Sequence, residues 1–421
     1  ISLLIAGVAT YAFFKVGTVA VGGAKEFAPI ASMWFAVFAL APGFFLPLEQ
    51  ELGRALSHRR ATEQGGRPVV RKVVGLGAVL MGVVTIAILA VSPLIASSLF
   101  DGDWFMVVAL VAAFAAYGPA HMARGVCSGS GRFRDYAIVL GSDGVVRIVL
   151  CVALAVVGVT ATGAYGLAIA ISPLFAVAYV YRRGALDTDP GPPAAWSEVT
   201  PNLGWLLVGS VCGAALLNAG PIAAQLLSGT SDVDKALVTE FSYGVLLARI
   251  PLFLFQAVQA ALLPRLSRLA ARGEFVEFRA GLKRLMYVVL AVGVLGTAGA
   301  FILGPWALSI VYDADLSGRT LAMLSLSSAV YMLALATAQA VIALQGHALV
   351  AAGWAVGVVG FLLGTWLSSD EVFRRIEVGL VVSSMAALVT FALALRSRLR
   401  SGARPTSGSV LEAITDMPFE A

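Results

Sequence analysis

The chain is a succession of long apolar blocks separated by short polar breaks. Twelve blocks lie at about 1–21, 29–48, 73–100, 104–123, 136–158, 161–181, 199–227, 236–263, 285–311, 320–343, 348–367 and 376–395. A helix crosses the hydrocarbon of a bilayer with about 20 residues. A helix can also remain in lipid because its backbone groups are satisfied within the segment. The pattern therefore predicts twelve transmembrane helices joined by short connections.

Composition sharpens this picture by exclusion. Of 421 residues, 59% are hydrophobic and 13% charged, with mean hydropathy +0.90. Soluble domains carry about 45–50% apolar and about 25% charged residues. Too little polar surface remains to cover a soluble core, which excludes a soluble enzyme, a disordered chain and a nucleic-acid binder. The 44 glycines suit close helix approach in membranes. Cys127, Cys151 and Cys212 lie far apart in apolar runs and read as small buried hydrophobes. His58, His121 and His347 form no ligand cluster, so no metal or cofactor site is expected. The chain starts at Ile1, inside an apolar run and without Met, which reads as a fragment or a chain missing its first residues.

Orientation follows from Lys and Arg in the connections. The even-to-odd connections and the tail hold 21 of the 29 cations, the odd-to-even connections hold 5, and Lys15, Arg147 and Arg249 lie inside spans. The expected arrangement is multi-pass in a bacterial cytoplasmic (inner) membrane, with both termini cytoplasmic. The last residues, 396–421, read as a basic disordered tail.

The two halves repeat. Residues 71–103 align on 283–315 at an offset of 212, bringing Arg71-Lys72 onto Lys283-Arg284, Pro93 onto Pro305, Asp101 onto Asp313 and Asp103 onto Asp315. The expected organisation is an N-terminal six-helix lobe at 1–184, a cytoplasmic linker at 185–198 containing Asp189-Pro190-Gly191-Pro192-Pro193, and a C-terminal lobe at 199–395. Six is even, so both lobes enter from one side. They should then be related by a pseudo-twofold along the membrane normal, with a substrate site between them.

Three stretches carry a family resemblance. They are Phe44-Phe45-Leu46-Pro47-Leu48-Glu49-Gln50-Glu51-Leu52-Gly53-Arg54, then Ala248-Arg249-Ile250-Pro251-Leu252-Phe253 continuing to Arg268, and Arg124-Gly125 through Gly129-Ser130-Gly131-Arg132-Phe133 to Tyr136. Together they resemble the polysaccharide-biosynthesis, O-antigen flippase-like branch of the multidrug/oligosaccharidyl-lipid/polysaccharide (MOP) exporter superfamily. The resemblance implies an all-α polytopic, MATE-like fold. It also implies movement of a polyprenyl-pyrophosphate-linked oligosaccharide from inner to outer leaflet by alternating access. Lipid-linked oligosaccharide, membrane lipids and a polysaccharide polymerase or glycosyltransferases are the implied partners. Related lipid II flippases have fourteen spans, and twelve here leave that substrate unassigned.

A pyrophosphate–sugar head group needs a polar path with fixed cations. An ionised residue at the bilayer centre costs about 2.5–3.5 kcal/mol on insertion scales, so each one calls for a reason. Arg249, mid-span and followed by Pro251, reads as a phosphate contact or as an ion pair fixing helix packing. Lys15 reads as snorkelling or as a cavity cation, and Arg54 as a topological anchor or a cavity cation. Asn218, Gln256 and Gln259 can bond sugar hydroxyls or neighbouring helices. Asp143 and Arg147, four residues apart, share a face and read as a self-neutralising pair or an ion-coupling site. Glu240, on the opposite helix face from Arg249, reads as a solvated acid or an ion-coupling site.

Competing classes are weighed on the same residues. Asp-x-Asp occurs at 101–103, 187–189, 232–234 and 313–315; these acids read as solvated loop residues, and no outer loop is long enough for a donor-sugar domain. No P-loop or nucleophile elbow is present, so no enzyme is expected. The alternatives to a flippase are a multidrug or small-cation exporter of the same superfamily and a non-transporting scaffold for a cell-wall or polysaccharide complex. The charge asymmetry makes one direct prediction. A fluorescent protein fused after residue 395 will fluoresce in bacteria, whereas alkaline phosphatase at the same place will be inactive; the reverse pattern would invert the topology.

Overall fold

The structure, a computed structural model, describes residues 2–229 and 231–400. Fifteen helices occur among these residues. They are α1 (Ser2–Val21), α2 (Ala24–Ala61), α3 (Arg67–Ala90), α4 (Ser92–Leu99), α5 (Trp104–Gly129), α6 (Phe133–Val157), α7 (Thr162–Arg182), α8 (Trp196–Val199), α9 (Leu203–Leu227), α10 (Asp232–Ala248), α11 (Ile250–Ala271), α12 (Phe275–Tyr312), α13 (Gly318–Ala343), α14 (His347–Leu367) and α15 (Val372–Arg400). Ten helical stretches among the described residues are long and apolar enough to cross a membrane. Two expected spans fall outside that set. One is the first, whose described apolar part is Ile5–Val21. The other is the eighth, which is divided at Arg249 into α10 and α11. The chain is an all-α, multi-pass membrane protein.

Prolines decide where the long helices break. Proline has no N–H and its ring crowds the carbonyl four residues earlier. Pro93 ends α3 and starts α4, and the Ser92 hydroxyl donates to the freed Leu89 carbonyl at 2.6 Å. Its repeat partner Pro305 sits inside α12, which runs unbroken for 38 residues. The carbonyl freed there, on Phe301, lies against Gly318, where any Cβ would collide with it. The repeat also reaches the backbone: Asp101 (φ 56°) and Asp313 (φ 54°) both adopt the left-handed conformation. Aspartate tolerates that region better than most residues.

The described chain divides into two compact units, Ile1–Ala214 with Pro221–Thr239, and Ala215–Gly220 with Glu240–Ala421. In the first, α2 and α5 cross so closely that a Cβ on Gly125 would lie 2.9 Å from the Glu49 carbonyl oxygen. Aromatic rings fill the space between α1 and α2. Phe13 stacks on Trp34 at 5.4 Å and Phe14 meets Phe27 edge-on at 5.2 Å. At the other end of α2, basic side chains hold the linker. Arg59, 2% exposed, grips Glu198 with two bonds of 2.6 and 3.0 Å and donates to the Gly65 and Pro192 carbonyls at 2.8 and 2.9 Å. Arg67 donates to the Thr188 carbonyl, Lys72 to that of Ala194, and Arg132 to those of Gly184, Ala185 and Asp187. The linker is thus packed onto the first unit, and cations counted above for topology are also its fastenings.

In the second unit α14 and α15 pack through small residues, with Gly364 against Gly379. Tyr243 stacks on Tyr312 at 4.2 Å. α12 presents Leu295, Ile302 and Trp306 outward, as a lipid-facing helix does. α15 continues through Arg400. Arg396, Arg398 and Arg400 are therefore helical, which corrects the expectation of disorder from 396; residues 401–421 lie outside those described. Removing the Arg59 guanidinium leaves Glu198 and the Gly65 and Pro192 carbonyls without their donor, at a cost of about 1–3 kcal/mol. Arg59→Ala should accordingly lower the melting temperature of the purified protein in detergent markedly more than Arg60→Ala. Equal melting of the two variants would show that the linker is not held through Arg59.

Candidate functional site

The site is built on a broken helix. Pro251 cannot continue α10, so the chain turns at Arg249, whose N–H bonds the Leu246 carbonyl at 3.0 Å in a tighter, three-residue step. The Arg249 carbonyl then accepts the Phe253 N–H at 3.1 Å and begins α11. This break places a guanidinium, 8% exposed, inside the second unit. Its Nη2 donates to the backbone carbonyl of Leu217 and its Nη1 lies 3.4 Å from the Asn218 Oδ1. Asn218 is 2% exposed. Leu217 is four residues before Pro221, a proline inside α9, so its carbonyl lacks the usual helical N–H. One proline releases Arg249 from a regular helix, and another supplies the carbonyl that receives it.

The other predicted residues separate. Gln256 and Gln259 are on α11, and their side chains fall outside the described residues. Glu240 accepts the Asp315 N–H at 3.4 Å. Lys15 is half-buried on α1. Arg54 is engaged by Glu51 at 2.8 Å and by the Glu198 carbonyl, so its contacts anchor the linker. Asp143 and Arg147 are paired inside the first unit. The Asp143 carboxylate also accepts from Ser172 at 2.7 Å and Tyr117 at 3.1 Å. Arg147 donates to Tyr117 at 3.0 Å and stacks over Trp34 at 4.5 Å.

The sequence did not single out a second charged cluster, Glu49 on α2 with His121 and Arg124 on α5. Glu49 Oε2 accepts from Arg124 Nε and Nη2 at 3.0 and 2.7 Å. His121 Nδ1 lies 2.8 Å from that oxygen and 2.6 Å from Arg124 Nη2. A protonated Nδ1 faces the carboxylate, and a bare one accepts from the guanidinium. Glu49 and His121 are 6% and 2% exposed. The available signal was an acid directly after the second apolar block and a histidine inside the fourth.

The Asp-x-Asp acids have ordinary structural tasks. Asp103 caps α5 through the Phe105 N–H at 2.8 Å and accepts from Thr162 at 2.9 Å. Asp101 pairs with Lys235 at 2.6 Å and Asp232 with Lys25 at 2.9 Å. The Lys25 ammonium, through its hydrogen bond, holds the Asp232 carboxyl below its ordinary value.

No protein-family model matches the chain. It is similar to two uncharacterized proteins of Mycobacterium tuberculosis. Rv1510 is 28% identical over 359 residues, covering 81% of this chain and 79% of that protein; Rv3630 is 24% identical, covering 80% and 78%. Among solved structures, a mutant of the Vibrio cholerae MATE transporter VcmN superposes with a TM-score of 0.69 at 15% identity, covering 95% of each chain. An inward-facing multidrug resistance MATE family transporter of the MOP superfamily gives 0.71 at 13% identity, covering 95% of this chain and 94% of that one. The chain has a MATE-like fold.

Within that MATE-like fold, Arg249 and Asn218 are the predicted substrate-site residues that the second unit brings together. Their geometry is testable by a double-mutant cycle. Arg249→Met leaves the Leu217 carbonyl unpaired and should destabilise the protein by about 1–3 kcal/mol. With Pro221→Ala, residue 221 regains an N–H for that carbonyl, and the same Arg249 change should cost about 1 kcal/mol less. Strictly additive melting shifts would separate Arg249 from the Leu217 carbonyl.

Proposed function

We propose that the chain is a MOP-superfamily membrane transporter that moves a polyprenyl-pyrophosphate-linked oligosaccharide head group from the inner to the outer leaflet by alternating access. The observation that carries this reading is a guanidinium set at the break of α10 and α11 within a MATE-like fold. A guanidinium presents a planar fork that matches phosphate oxygens. Seated at a helix break, it can exchange a backbone carbonyl for a phosphate oxygen without dismantling a regular helix. Asn218 beside it offers a carboxamide suited to sugar hydroxyls. The reading places the protein in a bacterial cytoplasmic membrane with its basic connections and both termini inside. Glycosyltransferases would supply the substrate and a polymerase would consume it.

A second reading is export of small cations. The solved structures of this fold include multidrug resistance transporters, and the first unit holds the buried carboxylate of Glu49 and the partly buried one of Asp143 near aromatic rings. Reconstitution separates the two. Arg249→Gln keeps a donor for the Leu217 carbonyl but removes the charge. It should abolish translocation of a fluorescent polyprenyl-pyrophosphate disaccharide in vesicles while the protein melts normally. Full translocation by that variant, or wild-type vesicles that move ethidium and not the glycolipid, would overturn the flippase reading.

A further inference from the structure

We propose that a groove on the first unit, between α3 and α7, seats the acyl chain of an anionic phospholipid. α5 packs against both α3 and α7 and forms the floor with Gly118 and Met122. Val70 and Val74 make one wall and Val177 the other, with Leu186 closing the linker end. The cavity is about 270 Å³, and every residue lining it is apolar. From Val70 to Met81 the lining follows α3 for eleven residues, about 16 Å at 1.5 Å per residue. That is about half of a ~30 Å hydrocarbon core, the depth that one leaflet's chain occupies. Water finds little polar surface in such a groove, whereas a flexible methylene chain fits against its methionines.

Charge identifies the head group. Arg67 precedes Val70 and Val74 by three and seven residues, which puts it on the same face of α3. Its Nε donates to the Thr188 carbonyl at 3.1 Å, two residues past Leu186. Arg71, Arg182 and Arg183 are exposed next to the same end in sequence. Asp187 and Asp189 are the linker acids of this rim and Asp135 on α6 lies within electrostatic reach of Arg183; the three are fewer than the four arginines. A phosphodiester at the mouth would meet guanidinium groups while its chain lies along α3. This groove belongs to the first unit and Arg249 to the second, so the proposal stands apart from the transport reading.

The test uses the full-length protein in phosphatidylcholine vesicles doped with a phosphatidylglycerol that carries a photoactivatable diazirine on its acyl chain. Adducts mapped by mass spectrometry should concentrate on 70–81 of α3 and 118–126 of α5. The same chain on phosphatidylcholine should label these stretches about fivefold less, the factor expected from one nearby cation. Ala78→Trp fills the groove and should remove the adducts. Replacing Arg67, Arg71, Arg182 and Arg183 together by Gln leaves the groove open and should bring the two head groups to parity, which keeps the test decisive if the tryptophan variant does not fold. Equal labelling by both lipids in the wild type, or adducts no denser than on the outward face of α12, would overturn the proposal. So would complete displacement of the probe by equimolar polyprenyl phosphate, because the groove would then belong to a prenyl chain.

Discussion

A polypeptide in lipid has no water to complete its backbone, so every orphaned carbonyl must find a donor inside the protein. This chain places prolines inside its spans, and each frees a carbonyl one turn earlier. Its polar side chains are arranged around that deficit. Ser92 serves the carbonyl freed by Pro93, Ser172 donates to Ile169, the carbonyl freed by Pro173, and Arg249 serves the one freed by Pro221. The third case differs in kind, because the donor carries a full charge. A hydroxyl would satisfy the same carbonyl at far lower desolvation cost. In the proposed function, the use of arginine is what ties the backbone of α9 and α10 to the substrate.

Three internal arginines illustrate how surroundings separate roles. Arg147 is enclosed by Asp143, Tyr117 and Trp34, a neutralised cluster that fixes the packing of α2, α5 and α6. Arg124 shares the Glu49 carboxylate with His121 and ties α2 to α5. Arg249 lies at a helix break and is seated on a carbonyl and a carboxamide. In the proposed function, a phosphate takes the place of these contacts.

Much of the architecture could be read in the chain itself. Block length located the helices, and the aligned aspartates of the repeat, Asp101 and Asp313, share a left-handed backbone. Pro251 beside Arg249 also marked a disturbed span. Pairings between distant segments were not legible. Leu217 and Arg249 are 32 positions apart, Glu49 and His121 are 72 apart, and Arg59 and Glu198 are 139 apart. Apolar periodicity does not encode such contacts, because a membrane helix is apolar on all sides. Arg59, Arg67 and Arg132 illustrate a further limit. Counting charge assigns them to one side of the bilayer, but only geometry shows that they fasten the linker.

The central claim is that the Arg249 guanidinium occupies the carbonyl that Pro221 vacates. Leu217–Asn218 is the single Leu–Asn step in the sequence, so carbonyl-¹³C leucine with ¹⁵N asparagine selects that one carbonyl in solid-state NMR. With ¹⁵N-guanidino arginine added, dipolar recoupling should find a nitrogen about 4 Å from the Leu217 carbonyl carbon, the spacing of a direct hydrogen bond. That contact should vanish in Arg249→Met. An unlabelled neighbourhood in the wild type, or a contact that survives the substitution, would contradict the account.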